Sequence, residues 1–129
     1  MHDKGIIMNI LLVEDNIDRI KWFTNEFSGH NLIISDNANS AISLLREIKF
    51  DAIFLSHDLC NEVFVDSEDL NTGYQVALEI PDSINKNAVI IIHSWNPAGA
   101  ENIKKVLPKA FYIPFGTFTK EVFKNRNKT

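Results

Sequence analysis

Apolar residues along this chain fall in short unbroken runs, and each run ends abruptly in polar or ionisable ones. Ile10-Leu11-Leu12-Val13 leads into Glu14-Asp15-Asn16, Ala52-Ile53-Phe54-Leu55 into Ser56-His57-Asp58, and Ala88-Val89-Ile90-Ile91-Ile92 into His93-Ser94-Trp95-Asn96. Runs of four or five apolar residues without alternation mark strands buried on both faces. Two weaker segments, residues 31–35 and 110–113, complete a set of five predicted strands.

Between the runs the apolar period changes to that of a helix. Ile17, Ile20, Trp22, Phe23 and Phe27 define a first helix, capped by Asn16 or Asp15 and stopped by Gly29. Ala41, Ile42, Leu44, Leu45 and Ile48 share a face of a second, with Asn39 or Ser40 as its cap. Thr72-Gly73-Tyr74 opens a short third helix that ends near Pro81, and Asn96 caps a fourth with Pro97 at its first position. Thr117 or Thr119 starts a last helix with Phe118, Val122 and Phe123 facing inward. Strands alternating with helices imply right-handed crossovers and a flavodoxin-like, doubly wound α/β fold: a parallel five-stranded sheet of order 2-1-3-4-5. The expected organisation is a single domain over residues 8–125, with a flexible extension at 1–7 and a frayed tail at 126–129.

At 129 residues, with 45% hydrophobic and 23% charged content, the composition is that of one globular domain. No apolar run reaches the ~20 residues of a membrane helix and no secretory leader is evident, so a soluble cytoplasmic protein with no membrane partner is expected. The lone Cys60 forms no internal disulfide, and no basic neighbour marks it as a nucleophile. Net charge is −4, unevenly spread: residues 51–82 hold acids and no Lys or Arg, whereas Lys104, Lys105, Lys109, Lys120, Lys124, Arg126 and Lys128 dominate the last third. That basic flank is either a solvated helix face or an attractor of phosphates or RNA. The connection from Asp58 to Asn71 is long and acidic, a length associated with gating loops or disorder.

In the order 2-1-3-4-5, strands one, three and four are neighbours, and Glu14, Asp15, His57, Asp58, His93, Ser94 and Asn96 gather at the carboxyl edge of the sheet, where open α/β sheets bind ligands. Each has an ordinary reading as well as a functional one. His57 and His93 are either polar strand ends bonded to backbone or a pair of imidazoles able to divide acid and base work near neutrality. Asp58 could orient an imidazole or hold a metal. Ser94 and Asn96, with the amides of Ala98 and Gly99 at the start of the fourth helix, could bind phosphate, although Gly99 serves equally as a packing glycine. Glu14, Asp15 and Asp58 could bind Mg²⁺ or Mn²⁺ through oxygen, and Asp15 could be a plain cap. Trp95 either stacks on a base or shields the site; Trp22 belongs to the core. His2 and His30 are expected to be exposed.

Residues 9–125 resemble the response-regulator receiver domain, of CheY-like fold. The likeness is carried by Ile10-Leu11-Leu12-Val13-Glu14-Asp15-Asn16, Asp51-Ala52-Ile53-Phe54-Leu55, Gly73-Tyr74-Gln75-Val76, Ile90-Ile91-Ile92-His93-Ser94 and Tyr112-Ile113-Pro114-Phe115. The resemblance implies an acidic pair for a divalent ion at Glu14 and Asp15, and a hydroxyl after the fourth strand at Ser94. The phosphoacceptor position holds Ser56 and the lysine position Ile113, so the aspartyl-phosphate switch lacks two of its parts. His57-Asp58-Leu59 together with His93-Ser94-Trp95-Asn96-Pro97-Ala98-Gly99 is similar to a narrower relative, the cyclic-phosphate-processing receiver-like family. That likeness implies action on a cyclic phosphate at His57, Asp58, His93, Ser94 and Asn96 with the acidic pair Glu14 and Asp15, and the chemistry of these residues suggests hydrolysis of a 2′,3′-cyclic nucleotide or an RNA end, with His57, Asp58 and His93 catalytic. Members tend to carry an aspartate where this chain has Ser56. A non-catalytic docking receiver and a metal-dependent nucleotide-binding protein are the competing readings, and the sequence leaves the oligomeric state open.

Overall fold

The computed structural model describes residues 6–59, 66 and 68–117. Five parallel strands, β1 (Asn9–Val13), β2 (Asn31–Ser35), β3 (Ala52–Leu55), β4 (Val89–Ile92) and β5 (Phe111–Tyr112), form one sheet of order β2-β1-β3-β4-β5, the predicted order. The helices α1 (Ile17–Glu26), α2 (Ala38–Glu47), α3 (Gly73–Glu79) and α4 (Pro97–Val106) connect them. A 3₁₀ turn at Phe115–Thr117 follows β5. The predicted last helix, with Phe118, Val122 and Phe123, lies outside the described residues, as do His2, Cys60, the residues at 126–129 and most of the extension at 1–7.

Because side chains alternate across a strand, β1, β3 and β4 bury two faces at once. Leu11, Val13, Ile53, Leu55, Ile90 and Ile92 pack with Ala41 and Leu45 of α2, Val76 and Ala77 of α3, and Ala100 and Ile103 of α4. Ile10, Leu12, Ala52, Phe54 and Ile91 pack on the other side against Phe23 of α1 and Phe27 at its C-terminal cap, with Ile113. Each helix begins on a side chain that accepts a backbone N–H three residues on: Asn16 from Arg19, Asn37 from Ser40, Thr72 from Gln75, and Asn96 from Gly99. These caps satisfy amides that no helix can bond internally.

Several local expectations are corrected. The α2 cap is Asn37, not Asn39 or Ser40, so the helix starts earlier than its apolar face suggests. α1 ends at Glu26, ahead of Gly29, and its Ile17 is exposed because the apolar stripe begins one turn later at Ile20. His30 is half-buried, its Nδ1 accepting the Met8 N–H at 3.0 Å. Lys104 reaches past the end of α4, donating to the Ala110 carbonyl at 2.7 Å, and is not a free member of a basic flank. Buried Asn85 ties its own turn to the stretch from the end of α2 to Phe50, accepting from the Phe50 N–H and donating to the Leu45 and Ile48 carbonyls. Among the described residues no helix is long and apolar enough to cross a membrane.

Candidate functional site at the carboxyl edge of the sheet

β3 and β4 pair with Leu55 beside Ile92, and the His93 N–H donates to the Leu55 carbonyl at 3.0 Å. Continued one step, this register sets Ser56 beside His93. The pleat then separates the two histidines: His57 follows Ile53 and Leu55 toward α2, α3 and α4, whereas His93 follows Ile91 toward α1. The expected gathering therefore divides into two halves on opposite faces of the sheet. Two imidazoles sharing one crevice is not the arrangement found, because His57 lies two residues beyond the end of its strand and His93 only one.

The first half is built around His57, which has no solvent exposure. A Cβ on Gly99 would come within 2.4 Å of its Cγ, so α4 can approach the ring only with glycine at that position. From the α3 side, the Gly73 N–H donates to the His57 carbonyl at 2.9 Å. The ring's Nδ1 lies 2.8 Å from Asp58 Oδ1, and the Asn96 amide nitrogen donates to the same oxygen at 3.0 Å. Asn96 thus caps α4 with its oxygen and holds Asp58 with its nitrogen. Asp58 is braced further by an antiparallel bridge to Thr72, and the Ser56 hydroxyl reaches its carbonyl at 3.4 Å. The Asp58 side chain is 12% exposed, so of this cluster the carboxylate, not the imidazole, reaches solvent. One of the phosphate donors expected at α4 is committed already, since the Gly99 amide is spent on Asn96; the Ser94 hydroxyl accepts the Asn96 N–H, which leaves its own proton to donate. Ala98, at the second helical position, has no intrahelical acceptor for its amide.

The second half centres on Glu14, itself buried. Its Oε2 accepts the backbone N–H groups of Asp15 and Asn16, and its Oε1 lies 2.7 Å from His93 Nε2 and 3.6 Å from Arg19 Nη1. The short Nε2 contact to a carboxylate fixes a proton on that nitrogen. His93 also packs against Phe23, ring centroids 4.9 Å apart, and its buried Nδ1 has no partner among the described residues. Burial pushes the Glu14 carboxyl up, but the His93 hydrogen bond and charge, the Asn16 amide and the Arg19 charge outweigh it and hold it below its ordinary 4.5. A carboxylate whose folded value is depressed stabilises the fold above its unfolded value, and that contribution disappears as pH falls through the folded one. Urea midpoints measured between neutral and acid pH should therefore fall more steeply below the ordinary carboxylate range for the wild type than for Glu14→Gln; parallel acid limbs would refute the assignment.

Arg19 was not among the residues singled out from sequence. It lies in the first turn of α1, and since helical side chains tilt toward the helix N-terminus, its head reaches back over the strand ends. Its guanidinium carbon lies 4.3 Å from the centroid of Trp95 and 5.3 Å from that of Phe115.

The residues present do not fit a divalent ion as predicted from Glu14, Asp15 and Asp58. Glu14 spends one oxygen on the Asp15 and Asn16 amides and the other on His93 and Arg19, and among the described residues no group of three or more His, Cys, Asp or Glu side chains is placed to hold a metal.

The family profile described as the cyclic-phosphate processing receiver domain matches residues 9–109. A comparison with curated proteins finds no match. Among solved structures, the chain is similar to the receiver domain of a sensor histidine kinase from Pseudomonas aeruginosa, described with magnesium in its active-site cleft, at 20% identity, TM-score 0.72, and 95% and 97% coverage of the two chains. A response regulator from Burkholderia pseudomallei, described with a phosphorylated aspartic acid and calcium, matches at 19% identity and TM-score 0.70, over 93% of this chain and 69% of that one. The chemotaxis regulator CheY4 of Vibrio cholerae matches at 15% identity and TM-score 0.69, over 95% and 98%. At these identities the likeness is one of fold.

Proposed function

Since the chain belongs to the cyclic-phosphate processing receiver domain family, matched over residues 9–109, we propose that it hydrolyses a cyclic phosphodiester with the Asp58 carboxylate as the group that meets the substrate. The observation that carries this reading is the Asp58 carboxylate itself, held by His57 Nδ1 and the Asn96 amide at the sheet's carboxyl edge and partly open to solvent. One water is consumed: its oxygen bonds to phosphorus, one of its protons passes to Asp58, the ring P–O bond breaks, and the departing ribose oxygen takes a proton from solvent. His57, sealed between α3 and α4, is a positioning residue that aims the carboxylate. His93, on the far face, holds Glu14 in place and is not assigned a share of proton transfer.

Phosphotransfer fits these residues less well. Ser56 stands where receivers carry the acceptor carboxylate and makes a much weaker nucleophile, and the buried Ile113 cannot neutralise a phosphoryl group. A second reading, a docking receiver without catalysis, is favoured by one observation: both imidazoles have no exposure at all. Phosphorus NMR decides between them. The wild-type chain, incubated with 2′,3′-cyclic AMP and 2′,3′-cyclic CMP, with and without Mn²⁺, is expected to convert the cyclic resonance to that of a ring-opened monoester. Absence of turnover for every cyclic phosphate tried would leave the docking reading.

A further inference from the structure

Three features of Arg19 stand outside the mechanism just given. Its guanidinium rests against the rings of both Trp95 and Phe115, which meet edge-on with centroids 6.5 Å apart, and its side chain is only 16% exposed. Its one charged partner, Glu14, is 3.6 Å away, beyond hydrogen-bond length, and among the described residues the guanidinium N–H groups make no hydrogen bond. Phe115 lies two residues after Ile113, so the cation occupies the neighbourhood in which receivers place the lysine that this chain lacks. Guanidinium is a rigid fork of donors matched to phosphate oxygens, and packing against aromatic rings holds such a fork ready before a ligand arrives. Glu14 offers Arg19 no oxygen of its own, because the same Oε1 lies 2.7 Å from His93 Nε2.

Trp95 adds a second element. It is 54% exposed although one of its neighbours, Ser94, and the other, Asn96, are buried. A large aromatic held by a cation and left open to solvent on a site rim is a stacking platform.

We infer that Arg19 and Trp95 form a nucleotide subsite, in which the guanidinium takes the non-bridging phosphate oxygens and the open indole surface takes the base. The ligand class is a nucleoside cyclic phosphate, as opposed to a base-free one. This rests on the cyclic-phosphate reading for the ligand, but not on hydrolysis.

The test is equilibrium binding by calorimetry with two probes, 2′,3′-cyclic AMP and glycerol 1,2-cyclic phosphate, which lacks a base. Arg19→Gln should weaken both by about tenfold or more, as expected for a hydrogen-bonded charged contact, and Arg19→Lys should recover part of the loss. Trp95→Ala should weaken the nucleotide by roughly five- to a hundredfold more than the base-free probe, the range for loss of one base stack, while the lost support of Arg19 weakens both alike. In a Trp22→Phe background the nucleotide should quench the remaining indole fluorescence and the base-free probe should not. Unchanged binding in Arg19→Gln, an equal loss of both probes in Trp95→Ala, or no binding of either probe by the wild type overturns the inference. Binding with this pattern but no turnover leaves it standing and ends the hydrolase reading; turnover with Arg19→Gln binding unaltered does the reverse.

Discussion

Gly73→Ala is expected to lower unfolding stability by more than about 3 kcal/mol, moving the urea midpoint down by roughly 1–3 M, with Gly29→Ala within about 0.5 kcal/mol of wild type. A Cβ at residue 73 would sit 1.9 Å from the Ser56 carbonyl oxygen and 2.8 Å from its carbon, whereas one at residue 29 meets nothing within 4 Å. The obstacle at residue 73 is main chain, which cannot swing aside as a side chain can. Nor can α3 retreat cheaply, because the Gly73 N–H bonds the His57 carbonyl and Thr72 bridges Asp58. The displacement would be felt where the candidate site is anchored. Equal midpoints for the two variants would show that α3 does not press on the end of β3.

Turnover of 2′,3′-cyclic AMP by Asp58→Asn is expected to fall by about 10²–10⁴-fold, the usual contribution of a positioned proton acceptor. The substitution is nearly isosteric and keeps an oxygen able to accept from His57 and Asn96, so the fold should persist while the charge is lost. A drop in kcat with KM little changed is the signature of an interaction made mainly in the transition state. His57→Ala acts through the same carboxylate and should add little to the loss in the double variant, since both remove one function. A kcat for Asp58→Asn above about a tenth of wild type would remove Asp58 from the chemistry.

The strand order was legible because helical segments alternate with the apolar runs, which implies right-handed crossovers between parallel strands. The grouping of Glu14, Asp58 and Asn96 at that edge follows from order alone. What the order does not give is the face. Ser56-His57 and His93 follow neighbouring strands, yet a difference of one residue from the strand end sends the rings to opposite sides, the same period-two rule that makes a register slip invert a strand. Counting from Leu55 and from Ile92 would have shown it. Gly99 had two readings of equal standing, and the His57 ring pressed against it decides for packing. Arg19 was passed over because an arginine early in an amphipathic helix reads as a solvated position. Its significance comes from Trp95 and Phe115, distant in sequence, packing against it. Asn85 gave no signal for the same reason: its three backbone partners are in segments that only folding brings near.

Asn96 offers two ends of one flat amide, the oxygen to the Gly99 N–H and the nitrogen to Asp58. An amide plane does not bend, so the start of a helix and the aim of an acid are cut from a single rigid piece. Turning it over would break both contacts together. Aspartate would keep the acceptor and set two negative groups face to face; serine and threonine, otherwise good substitutes at a helix start, have no nitrogen to give. The side chain has one right way up, and no other residue of its size does both jobs.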